Sequence, residues 1–223
     1  MSLRFTDHLR ALADPIWAAQ LAHPFVRGIG DGSVDRECFK YWLRQDYAFL
    51  IEYSRLFAIA TARAPDLATM TAFANLTHET LATEMGLHRA YAAEFGIGEA
   101  KLESESKSPT TQAYTDFLLR TAALADFAEL VAALLPCMWG FNTIGLALQA
   151  KGVPSEPLCA QWIEMYSSPE FTALTAWCRD LLDRLAEGLD ETRRGRLAEA
   201  FLTSSHYELQ FWDMALRQET WPA

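Results

Sequence analysis

The sequence predicts an all-α fold, organised as a single-domain helical bundle. Nearly every apolar run repeats with a period of about 3.6 residues, and no stretch alternates as a strand would. Serine, aspartate, proline and glycine fall in register with those runs as start and stop signals. No linker, low-complexity tract or repeat interrupts the 223 residues, so one domain over residues 1–223 is the simplest organisation.

A first helix over about residues 3–22 should bend at Pro15. Gly28-Ile-Gly-Asp-Gly-Ser reads as a turn, and Ser33 or Asp35 can cap a helix from about 35 to 63. Asp66 opens a third helix that closes at Gly96, and the polar stretch from Gly98 to Lys107 reads as a loop. Ser108-Pro109 is a cap followed by proline at the first helical position, opening a helix to about 123. The next helix contains Pro136 and ends near Gly152. Pro154 and Pro157 bracket a turn before a short helix through Tyr166. Ser168-Pro169 starts a helix ending at Gly188, and Asp190 opens the last, through about 218.

Half of the chain is apolar, ample for a sizeable core, and the formal net charge is −10. Non-specific nucleic-acid binding needs clustered Lys and Arg, whereas the one basic cluster, Arg193-Arg194-Gly195-Arg196, is flanked by acids. No apolar run is expected to reach the ~20 residues that cross a bilayer, and the N-terminus lacks a signal-type apolar core. A cytoplasmic protein without membrane or nucleic-acid partners is expected. Its four cysteines (Cys38, Cys137, Cys159, Cys178) form no CxxC and read as free thiols.

Cys137 has unusual surroundings. It follows Pro136 inside the apolar run from Phe127 to Gly145, and Pro136 should kink that helix. Cys137 would then occupy the first turn of a new half-helix, whose positive end favours thiolate. The plainer reading is a small buried hydrophobe.

Two carboxylates sit where a core should be. Asp46 lies amid Phe39, Trp42, Phe49, Tyr53 and Phe57 on one helical stripe, and Glu208 amid Leu197, Phe201, Ser204, Phe211 and Ala215 on another. A carboxylate on an apolar face must be paired, bound to a ligand or protonated; Arg44, Arg55 or another basic group could supply the pair. A further cluster, His78, Glu79, Glu84 and His88, lacks the Glu-x-x-His spacing of di-iron bundles and has no second copy. No metal is expected there, and a helix-surface hydrogen bond or ion pair is the role assigned. His23 reads as a structural turn histidine, and Trp139 and Phe211-Trp212 as packing.

Several segments resemble the TenA family, the thiaminase II enzymes. They are His23-Pro-Phe-Val-Arg-Gly-Ile-Gly-Asp-Gly, Phe39-Lys-Tyr-Trp-Leu-Arg-Gln-Asp-Tyr, Ser108-Pro-Thr-Thr-Gln-Ala-Tyr-Thr, Leu134-Leu-Pro-Cys-Met-Trp, Trp162-Ile-Glu-Met-Tyr-Ser and Tyr207-Glu-Leu-Gln-Phe-Trp-Asp-Met-Ala. The Pro-Cys and Tyr-Glu-x-Gln-Phe-Trp segments are the distinctive ones, and the matches run in family order over nearly the whole chain. The resemblance implies a haem-oxygenase-like bundle, a homotetramer, no cofactor, and hydrolysis of thiamin or aminomethylpyrimidine to hydroxymethylpyrimidine. It implies Cys137 as nucleophile, Glu208 as acid–base residue, and Asp46 as the group that grips the aminopyrimidine. Tyr114 falls on a pocket tyrosine and Tyr166 on the tyrosine that orients the glutamate.

Phe49 and Phe141 depart from the pattern, because bacterial members commonly carry tyrosine at both positions. The first hydroxyl is associated with activating the cysteine, the second with substrate. Tyr47 is no simple replacement, being turned roughly 160° around the helix from position 49. The ring faces survive, so substrate stacking is expected to persist while thiol activation and substrate preference change. Two other readings stay open: a metal-dependent redox enzyme on the same bundle, and a pyrimidine-binding protein with impaired catalysis.

Overall fold

The structure, a computed structural model, describes residues 4–222; the expected start of the first helix, near residue 3, lies outside them. Helix accounts for 82% of it, with no strand among the described residues, as the periodicity predicts. The helices are α1 (Phe5–Leu12), α2 (Asp14–Ala22), α3 (Pro24–Asp31), α4 (Arg36–Arg63), α5 (Leu67–Glu79) and α6 (Met85–Glu94), with a π-helical turn at Thr80–Glu84 between the last two. There follow α7 (Glu99–Glu103), α8 (Pro109–Leu124), α9 (Phe127–Gln149), α10 (Pro157–Tyr166), α11 (Pro169–Ala186) and α12 (Glu191–Arg217). The chain forms two compact units: Met1–Asp35 with Ala128–Asp213, and Arg36–Phe127 with Met214–Ala223.

In the first unit, the expected bent helix is two helices that break at Ala13, not at Pro15. Pro15 takes the second position of α2, where its missing N–H has no intrahelical partner to lose. Asp183 of α11 accepts from the Thr6 backbone N–H at 2.8 Å and satisfies an orphan donor of α1. The expected turn at Gly28–Ser33 is also corrected, because most of it is α3. His23 Nδ1 accepts from the Phe25 N–H, Pro24 starts the helix, and only Gly32 takes the left-handed conformation that ends it. Gly28 and Gly30 serve close packing: a Cβ at Gly28 would lie 2.8 Å from the Val34 Cα, and one at Gly30 2.6 Å from Leu148.

Helix α9 runs unbroken through Pro136. With 23 residues and a mean hydropathy of 1.6 in its most apolar window, it is long and apolar enough to cross a bilayer, contrary to the expectation that no run would be. Some 78% of that window is buried, so the helix is spent on core. Leu130, Val131, Leu134 and Leu135 are all fully enclosed.

In the second unit, α4 is the long central element. Gln45 accepts from the Ser108 N–H at 2.8 Å and donates to the Ser106 carbonyl at 3.0 Å, fixing the start of α8 against α4. At the opposite end Arg63 donates to the Ala122 and Ala125 carbonyls and closes α8. The single helix expected from 66 to 96 is α5, the π turn and α6, ending at Gly96 with φ of +70°. The expected loop 98–107 contains the short helix α7, whose Leu102 is buried.

Candidate active site

The first unit holds Cys137, Phe141, Tyr166 and Glu208. Cys137 lies more than two turns inside α9, so the expected half-helix end does not exist and cannot favour its thiolate. A single proline removes one N–H without freeing the rest of a turn. What does separate this thiol from the others is access: Cys137 is partly exposed, and the other three are buried. Burial pushes the Cys178 thiol up to about 12; burial and then the neighbouring Glu156 push Cys159 up to about 12. Those two are inert at neutral pH.

Phe141 follows Cys137 by one turn. Its ring meets Tyr166 edge-on at 4.8 Å between centroids, Trp212 at 5.2 Å and Trp162 at 5.8 Å. Tyr166 is held by its backbone. Asn142 donates to the Tyr166 carbonyl at 2.9 Å and to Thr172 at 2.9 Å, and Gly145 lets α9 approach the end of α10. Glu208 is 2% exposed on α12, as its apolar stripe predicts. Trp162 and Trp212 join this aromatic cluster although the sequence marked Trp212 only as packing.

The second unit holds Asp46, Phe49 and Tyr114. The Phe49 ring stacks on Tyr53 at 5.3 Å and tilts against Tyr114 at 5.1 Å. Asp46 is paired, and of the basic groups left open from sequence its partner is neither Arg44 nor Arg55 but a histidine. His88 Nε2 lies 2.6 Å from Asp46 Oδ2, and His88 Nδ1 lies 3.0 Å from the backbone carbonyl of Glu84. The surface role expected for His88 is thus corrected, since the residue is 1% exposed. Its burial follows from the π turn. Buried Phe73, Leu76 and Thr80 step by three or four residues, the π turn makes the next step five, and Met85, His88 and Ala92 follow inside. An unbroken α-helix would bring residue 84 inward instead. The Met85-His88-Ala92 spacing was the one available signal.

Burial alone would keep His88 neutral, but the Asp46 hydrogen bond and charge, with Glu84, outweigh it and hold the imidazole above its ordinary value. Tyr47 has its hydroxyl taken by Arg89 at 3.3 Å and so does not stand in for a tyrosine at 49. Among the described residues no three His, Cys, Asp or Glu side chains are grouped to hold a metal, the His78–His88 cluster included. A cleft of about 790 Å³ lies elsewhere, lined by Arg4, Phe5, His8, Asp183 and Arg194, and contains none of the expected site residues.

Residues 10–218 match the model of the TENA/THI-4/PQQC family. The chain belongs to this family. It is 43% identical over 222 residues to the aminopyrimidine aminohydrolase of Halalkalibacterium halodurans, covering 98% of each chain. It is 36% identical to the aminopyrimidine aminohydrolase of Bacillus subtilis, over 98% of this chain and 92% of that one. Among solved structures, a TenA family transcription regulator from Silicibacter sp. TM1040 superposes with a TM-score of 0.88 at 33% identity, covering 96% of both. A heme oxygenase-like domain from Shewanella denitrificans matches with a TM-score of 0.72 at 12% identity, over 98% of this chain and 94% of that one. The TenA-family chain therefore has the haem-oxygenase-like all-α fold that its motifs implied.

Proposed function

We propose that this protein is an aminopyrimidine aminohydrolase of thiamin salvage, taking a 4-amino-2-methylpyrimidine compound to hydroxymethylpyrimidine. The observation that carries the reading is identity of 43% and 36% to two enzymes of that name across nearly the whole chain. For aminomethylpyrimidine the balance is amine plus water to alcohol plus ammonia.

Cys137 adds through sulfur to the pyrimidine ring, and Glu208 delivers a proton to a ring nitrogen, so that no net negative charge builds on the ring. The amine then departs with a proton, water adds at the exocyclic carbon, and the ring–sulfur bond breaks as Glu208 recovers its proton. Asp46 accepts from the exocyclic amine and orients the ring, while Phe49, Tyr114, Phe141 and Tyr166 supply flat faces that hold it at low entropic cost. Partial exposure of Cys137 against buried Cys38, Cys159 and Cys178 supports its selection as nucleophile. Glu208, 2% exposed, is shielded from bulk water, which supports its use as the acid–base group.

In this reading the chain works as one TenA-like domain, in the cytoplasm, as a homotetramer. The absence of a basic stripe and the charge of −10 leave a DNA-binding role unsupported. A second reading, a pyrimidine binder with little catalysis, is favoured by phenylalanine at both 49 and 141.

Turnover of thiamin and of aminomethylpyrimidine by the purified protein decides between them. Ammonia release from aminomethylpyrimidine is the expected result. Tight binding of hydroxymethylpyrimidine without turnover of either compound would favour the second reading. Light scattering coupled to size exclusion tests the tetramer.

A further inference from the structure

We infer that His88 is a positioning residue for the aminopyrimidine, acting through Asp46: it holds one carboxylate oxygen so that the other meets the substrate's exocyclic amine. This rests on the reading of the chain as an aminopyrimidine hydrolase.

The hydrogen-bond geometry fixes how the imidazole is used. A backbone carbonyl can only accept, so Nδ1, 3.0 Å from the Glu84 carbonyl, must carry a proton. That leaves Nε2 for Asp46 Oδ2 at 2.6 Å, with a proton shared between them. The ring is anchored at both nitrogens and flanked by Trp42 at 5.8 Å and Tyr91 at 6.3 Å between centroids. It cannot flip without losing both bonds.

The pair's burial adds to its geometry. Asp46 is 4% exposed, and a polar group so enclosed is costly to bury unless a donor meets it. His88 is that donor. The carboxylate oxygen that His88 does not hold is left to accept from the amine N–H. The Glu84 carboxylate also contributes charge near the ring, so the imidazole is favoured in its donating form from two sides. The π turn gives the arrangement its register, because it brings position 88 onto the buried face.

The test compares His88→Leu, His88→Gln, Asp46→Asn and the double variant His88→Leu with Asp46→Asn, all as full chains. Steady-state kinetics on aminomethylpyrimidine are measured beside far-UV circular dichroism. His88→Leu should raise KM roughly tenfold to a hundredfold with a smaller change in kcat, the loss expected for one hydrogen bond to a charged group. His88→Gln, which keeps a neutral donor near the Nε2 position, should recover most of that loss. In the Asp46→Asn background His88→Leu should add little, since the residue acts through Asp46. An unchanged KM in folded His88→Leu, or effects of the two substitutions that simply add, would overturn the inference while leaving the function intact. If His88→Leu does not fold, His88→Gln with unchanged KM supports the inference and an equal loss in both KM and kcat overturns it. Wild-type protein inert toward aminopyrimidines would instead overturn the functional reading and, with it, this inference.

Discussion

Gly145 and Tyr166 are in backbone contact: a Cβ on Gly145 would lie 2.7 Å from the Tyr166 carbonyl carbon and 2.9 Å from the Ser167 nitrogen. The missing side chain lets α9 reach the end of α10, where the Asn142 amide holds the Tyr166 carbonyl. Gly145→Ala should therefore destabilise the protein. Overpacking against backbone costs about 1–3 kcal/mol, more than the ~1 kcal/mol alanine returns in helix propensity. Urea denaturation would show a lower midpoint with an unchanged slope. An unchanged midpoint would mean that α9 and α10 separate freely.

Cys137→Ser should abolish turnover and leave the fold intact, because sulfur is the stronger nucleophile and the volume change is small. Mass spectrometry after brief alkylation at neutral pH should find Cys137 modified ahead of Cys159 and Cys178, both pushed up to about 12. Near wild-type kcat in the serine variant would remove Cys137 from the mechanism.

Glu208→Gln should retain hydroxymethylpyrimidine binding and lose ~10²–10⁴-fold in kcat, the usual contribution of general acid–base catalysis. Glutamine preserves shape and a donor but delivers no proton. Weakened binding with kcat unchanged would recast Glu208 as a residue that only positions substrate.

Phe49→Tyr should lower the pH at which Cys137 is alkylated and raise turnover roughly fivefold, equivalent to ~1 kcal/mol in the barrier. The motive is stronger now that α9 is known to run unbroken through Pro136, because no helix end favours the thiolate. Phe49 is packed against Tyr53 and Tyr114, so an unpartnered hydroxyl would instead lower the melting temperature. A static alkylation profile with static turnover would show that the missing hydroxyl is no deficit.

Stability should fall as pH rises through the titration of His88, which is bonded to Asp46. His88 is raised in the folded state above its ordinary value of 6.5, so its contribution is fully present below the unfolded value. That contribution is lost as pH climbs through the higher, folded value. Melting temperature followed from weakly acidic to alkaline pH should decline over this window, and the decline should flatten in His88→Gln. A wild-type profile that matches His88→Gln throughout would rule the pair out as its source.

Helical class, most helix ends and the burial of Asp46 and Glu208 were legible from residue order alone. They depend on local rules: period, capping chemistry and the expense of placing Asp46 or Glu208 on an apolar face. Pro109 and Pro169 mark helix starts after their capping serines as read, because capping is settled within one turn, and Pro157, read as the end of a turn, also starts a helix, capped by Glu156. Family motifs identified the rest of the chemistry as an expectation.

Other features were decided only by tertiary packing. Pro136 was read as a kink opening a new half-helix, yet α9 is one continuous helix, since burial of its apolar residues outweighs one lost hydrogen bond. Gly28 and Gly30 were read as a turn, yet they are small because Val34 and Leu148, distant or folded back in sequence, press on α3. The π turn changes the register so that His88, expected at the surface, meets the carboxylate of Asp46, 42 residues away, and the Met85-His88-Ala92 spacing is its faint trace in the sequence. A residue's own neighbours in sequence set its propensity. Its partner across a helix interface is chosen by register, and one added residue in a turn is enough to change it.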